Sequence, residues 1–99
     1  MSTNSGIKEK IKPSVNTPVP RMFKVVYIND DITPMDFVID TLIVIFGHSA
    51  SAATEICTLV HEKGSAVVAT LPLEIAEQKK VETIVLARNH GFPLAIQLQ

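Results

Sequence analysis

Ninety-nine residues, 46% of them hydrophobic, suffice for one domain with a single modest core. A formal net charge of -1 and an ordinary charged fraction of 19% leave no strong field to favour nucleic acid. No uncharged apolar run approaches the roughly 20 residues a membrane span needs. The polar opening stretch lacks the apolar core of a signal peptide, and one cysteine, Cys57, cannot form an internal disulfide. No Cys/His set has zinc spacing, so neither a metal nor a cofactor is expected. The expected setting is reducing, soluble and cytoplasmic.

Residues 1–21 are rich in Ser, Thr, Asn, Lys and Pro and offer almost nothing to bury. Such a segment cannot offset its ordering entropy, so a disordered extension is predicted there, followed by a core domain over 22–99. Met22 to Ile28, β-branched and aromatic without a breaker, predicts a strand. From Pro34 to Phe46 the pattern is helical and apolar on most sides. Thr33 is the expected cap there, with Pro34 at the first helical position, Asp36 matching a loose capping box, and Gly47 past the end. Ser49 or Ser51 caps a second helix to about Lys63, its stripe formed by Ala52, Ala53, Ile56, Leu59 and Val60, and Gly64 stops it. Ser65 to Thr70 reads as a short strand. Pro72 opens a third helix running towards Arg88, with Gly91 closing it. Leu94, Ile96 and Leu98 alternate with Ala95 and Gln97 as a half-buried final strand. The order β-α-α-β-α-β predicts a two-layer α+β domain, a three-stranded antiparallel sheet covered by three helices.

The chemistry concentrates where the first strand becomes the first helix, at Asn29, Asp30 and Asp31. Asn and Asp suit turns by bonding their own backbone, so a solvated turn is one reading. The other needs a second polar group converging from elsewhere, and His61 is the candidate. An imidazole nitrogen, an amide oxygen and a carboxylate together can hold an ammonium group. Acids with a histidine also suggest hydrolysis, but no nucleophile accompanies them. Cys57 stands one helical turn before His61 on an apolar helix, where a cysteine is more often a small core residue than a thiolate. No glycine-rich phosphate loop is present, and catalysis is not expected. Met35 is either core or the wall of a pocket, its unbranched side chain suited to a gate.

The stretch Tyr27-Ile-Asn-Asp-Asp-Ile-Thr-Pro-Met-Asp-Phe-Val38 resembles the signature of the ClpS family, the adaptors of the bacterial N-degron (N-end rule) pathway. Further matches follow in register at Ala53-Thr54, Leu59-Val60-His61, Lys63-Gly64, Glu74 to Lys79, Ala87-Arg88-Asn89 and Pro93-Leu94. The resemblance implies a monomeric binding protein, not an enzyme, that captures proteins beginning with Leu, Phe, Tyr or Trp. It hands them to the ClpA unfoldase of the ClpAP protease. Under it, Asn29 and His61 hydrogen-bond the free α-amino group, Asp31 assists through water, and Asp30 holds the peptide backbone just after the first residue. Thr33, Met35, Val38, Cys57 and Leu94 line the side-chain pocket. Glu74 and Lys79 contact the N-terminal domain of ClpA, and the extension engages the unfoldase during delivery. This chain departs from the family pattern at Cys57, where a bulky Met is common, and at Ile32, Pro72 and Phe92, where Tyr, Thr and His are frequent. Two other classes compete: a docking module that binds a Clp chaperone without reading N-termini, and a small hydrolase using Asp30, Asp31 and His61.

Overall fold

The computed structural model describes residues 19–99, so the expected extension falls almost wholly outside the described residues. The elements are β1 (Met22–Ile28), α1 (Met35–Val44), α2 (Ala50–Lys63), β2 (Ser65–Pro72), α3 (Leu73–Asn89) and β3 (Ala95–Leu98). β1 lies in the middle of the sheet, which runs β2-β1-β3 with both pairings antiparallel. The predicted α+β topology is the one observed.

Alternation decides which face of β1 meets the helices. Val25 and Tyr27 are fully buried and belong to one cluster with Val38, Leu42, Ala53, Cys57, Val60, Ala76, Ala87, Leu94 and Ile96. Every element therefore contributes to a single core on one side of the sheet. The β1–β2 register shifts between Val25 and Val26, where Val68 is the extra residue of a bulge. Its carbonyl accepts a bond from His48 Nε2 at 2.7 Å.

Among the described residues three polar side chains, Tyr27, Thr41 and Thr83, are buried and all are paired, Thr83 Oγ1 donating to Lys79 O at 2.7 Å. The Tyr27 hydroxyl lies 2.8 Å from Thr41 Oγ1, which donates its own proton to Val38 O at 2.7 Å. Burial pushes the Tyr27 phenol up to about 12, against the opposing hydrogen bonds of Thr41 and Thr83. Lys79 of α3 reaches across to α1, donating to Ile45 O at 2.8 Å with its ammonium 6.0 Å from the Phe46 ring centre. A cation on the carbonyl end of α1 satisfies an orphan acceptor and suits the helix dipole.

Several local expectations need correcting. β2 continues through Leu71 to Pro72, because its pairing with β1 extends to Met22. α1 ends at Val44, short of Phe46, and Gly47 follows in the left-handed region at φ 76°. In α2 the buried stripe is Ala53, Cys57 and Val60, whereas Leu59 is 45% exposed. The Ser49 cap is as expected, its Oγ accepting from the Ala52 N–H at 3.1 Å.

Candidate functional site

The polar corner is built by the exit of β1 and the end of α2. Gly64 terminates α2 at φ 89°, a left-handed conformation in which any Cβ is strained, and its N–H returns to Val60 O. The Gly64 carbonyl then accepts from the Asn29 N–H at 2.9 Å. That bond fastens the first polar residue after β1 to the turn that follows His61. Asn29, Asp31 and His61 are all exposed.

Asp30 organises the next turn. Its Oδ1 accepts from the N–H groups of Ile32 at 2.8 Å and Thr33 at 2.7 Å, and its Oδ2 accepts from the Thr33 hydroxyl at 2.8 Å. Desolvation, the largest single influence, pushes this carboxyl up. The bonds from Thr33 and Ile32, with the Arg88 charge, outweigh it and hold the group below its ordinary value of 3.8. The Thr33 hydroxyl is thus committed to Asp30, not to the helix, and this corrects the expected cap. Pro34 is the extended N-cap residue, without a side-chain cap, and its carbonyl accepts the first helical bond from the Val38 N–H at 3.2 Å. Asp36 lies in the first turn of α1, where its charge suits the dipole.

Cys57 Sγ donates weakly to Met35 O at 3.7 Å, joining α2 to the first turn of α1. Burial, with a smaller contribution from the Asp36 charge, pushes the Cys57 thiol up, which disfavours a thiolate nucleophile. Val38, Cys57 and Leu94 are 6%, 3% and 1% exposed and share the core cluster. Met35 is 45% exposed. Thr33 is half-buried.

Glu74 and Lys79 lie apart from this corner, on the opening turns of α3. Glu74 is exposed and lines a groove with Arg21, Phe23, Leu73 and Ile75. The Lys79 ammonium is engaged within the chain, on Ile45 O. Two contributors escaped the sequence reading: the Gly64 carbonyl, because no side chain announces a backbone acceptor, and Arg88, which reads from sequence as an ordinary cation at a helix end. Among the described residues, no group of three or more His, Cys, Asp or Glu side chains is placed to hold a metal ion. No helix among them is long and apolar enough to cross a membrane.

The fold is thus a two-layer α+β domain whose Asn29–Asp31 corner is tied by a backbone bond to the end of α2. The family described as "ATP-dependent Clp protease adaptor protein ClpS" matches residues 18–97. Adapter proteins of that name from Nitrosospira multiformis and Acetivibrio thermocellus are 40% and 39% identical to it. The first alignment covers 88% of this chain and 79% of the relative, the second 100% and 98%. Agrobacterium tumefaciens ClpS2, whose structure was solved bound to L-phenylalaninamide, superposes with a TM-score of 0.78 at 36% identity. That superposition covers 82% of this chain and 98% of ClpS2. The chain belongs to the ClpS family, the adaptors of the ATP-dependent Clp protease.

Proposed function

We propose that the protein is an N-degron adaptor. It binds the free α-amino group and the bulky hydrophobic side chain of an N-terminal Leu, Phe, Tyr or Trp, and delivers such substrates to the ClpA unfoldase of ClpAP in the cytoplasm. The observation that carries this reading is the 2.9 Å bond from the Asn29 N–H to Gly64 O, which joins the amide-carboxylate corner to the end of the helix bearing His61. The ligand of the similar ClpS2, L-phenylalaninamide, combines a free amine, a large apolar side chain and a peptide-like amide, the three features such a site would read.

In this reading Asn29 and His61 hydrogen-bond the ammonium, and Asp31 supports its charge through water. Bonds to a charged partner are stronger than neutral ones, so a charged terminus is favoured over a blocked one. Asp30 has accepted three bonds already, and the roughly four lone-pair sites of a carboxylate leave about one, on Oδ2, for the first peptide N–H. Thr33, Met35, Val38, Cys57 and Leu94 enclose the side chain, whose burial contributes roughly 1.5–3 kcal/mol for Leu or Phe. Met35 over the mouth excludes side chains branched at Cβ. Glu74, beside the exposed Leu73 and Ile75, offers a docking surface to the N-terminal domain of ClpA, with Lys79 on the next turn. The extension preceding the core domain of 22–99 takes part in delivery by the monomer.

Reconstituted proteolysis tests delivery. Purified ClpAP should degrade a reporter beginning with Phe faster when this protein is added, and should not do so for the same reporter beginning with acetylated Phe. Equal rates for the two reporters would refute terminus reading and favour the docking module. Turnover of peptides by the protein alone, lost in His61→Ala, would favour the hydrolase.

A further inference from the structure

The end of α3 carries a charged group to which the proposed function assigns no part. Arg88 Nη1 donates to Phe92 O at 2.8 Å and to Leu94 O at 3.0 Å. Both carbonyls belong to the turn between α3 and β3, and Leu94 is a wall of the proposed pocket. This turn is otherwise held by a Schellman arrangement around Gly91, at φ 78°, with the Gly91 N–H on Arg88 O at 3.0 Å and the Phe92 N–H on Ala87 O at 2.9 Å. Both of those bonds end before Pro93, so on the Leu94 side the guanidinium acts where they do not. The Arg88 charge is also the smallest of the influences that lower the Asp30 carboxyl. Other titratable groups on the elements that meet here are Asp31 beside Asp30, Asp36 on α1, His61 on α2 and His90 at the end of α3. Arg88 is the cation among them that draws Asp30 down.

We infer that Arg88 is a positioning residue of the N-terminus-reading site, clamping the Phe92–Leu94 turn so that Leu94 is presented to the bound side chain. The inference rests on the proposed adaptor reading. A guanidinium is a rigid planar fork and keeps its charge at every accessible pH, so it can serve a fixed pair of carbonyls. An exposed lysine has one flexible head and cannot hold the same geometry. The clamp carries most of the effect, because an exposed charge pair alone contributes little.

The test uses the full chain with Arg88→Met and Arg88→Lys, and labelled peptides beginning with Phe and with Leu. Binding, melting temperature and the carboxyl-carbon NMR titration of Asp30 are measured together. Losing the clamp should weaken both peptides about tenfold in a folded Arg88→Met, of the order of one hydrogen-bonded contact. The Asp30 midpoint should rise in Arg88→Met and return to that of the unaltered chain in Arg88→Lys, with binding still weakened. An Arg88→Met that melts lower yet binds normally would reduce Arg88 to a structural residue and overturn the inference. Should Arg88→Met fail to fold, Arg88→Lys decides alone: several-fold weaker binding supports the clamp, and unchanged binding overturns it. Absence of binding by the unaltered chain would instead remove the adaptor reading on which the inference rests.

Discussion

Removing the Asp30 carboxylate should loosen the corner by an amount that can be worked out. Asp30→Ala deletes three hydrogen bonds, two from backbone N–H groups and one from the Thr33 hydroxyl. A hydrogen bond contributes about 0.5–1.5 kcal/mol net, and the corner is open enough for water to replace part of that. A total of about 1–2 kcal/mol follows, or roughly 4–16 °C in melting temperature for a domain of this size. Asp30→Asn should cost only about 0.5 kcal/mol, because the amide oxygen can keep both N–H bonds and the Thr33 hydroxyl can turn to accept from the new amide. The sign of the pH dependence also follows. The folded carboxyl lies below its ordinary value of 3.8, so ionised Asp30 stabilises the fold above that value and the stabilisation is lost as pH falls through the folded value. The gap between the unaltered chain and Asp30→Asn should therefore close below pH 3.8. Urea denaturation at several pH values, read by far-UV circular dichroism, measures all of this. A cost for Asp30→Ala within 0.3 kcal/mol of zero, roughly the error of such a difference, would refute the assignment of Asp30 as organiser of the turn.

Other substitutions separate recognition from folding. Asn29→Ala and His61→Ala remove exposed side chains, so each should melt within about 0.5 kcal/mol of the unaltered chain. Each should nonetheless weaken a Phe-initiated peptide by about 10–100-fold in anisotropy titrations, the loss of a bond to a charged group. Met35→Ala should admit peptides beginning with Ile or Val, and their continued exclusion would refute the gate. Lys79→Met removes the bond to Ile45 O and should cost about 1 kcal/mol in urea denaturation while leaving peptide affinity unchanged. If Lys79→Met also slows delivery to ClpA, the melting data show whether stability accounts for it.

Periodicity and capping chemistry made most of the fold legible. β1 runs from Met22 to Ile28 as predicted, Ser49 caps α2, and Gly64 ends it, since each depends on residues adjacent in sequence. Where a residue had two possible partners, sequence could not choose. Thr33 suits an N-cap, yet Asp30 lies three residues earlier and presents a stronger, charged acceptor. Leu59 fits an apolar stripe by type, but burial depends on which helix face meets the core, and Cys57 lies on that face. Leu71 and Pro72 lengthen β2 because Phe23 and Met22 lie opposite them, a pairing that only the assembled sheet reveals. Asn29, Asp30, Asp31, Thr33, Met35 and Val38 were nameable from the signature stretch, and Cys57, His61 and Leu94 from positions further along the chain. The tie from Asn29 to Gly64 and the double bond-donation of Arg88 were not, because both end on backbone carbonyls brought near by the fold.

Fluorescence anisotropy of a labelled peptide beginning with Leu or Phe, titrated beside an N-acetylated copy and a copy beginning with Ile, tests the central claim most directly. The adaptor reading predicts saturable binding of the free Leu and Phe peptides alone. Equal binding of all the peptides, or binding of none, would contradict it.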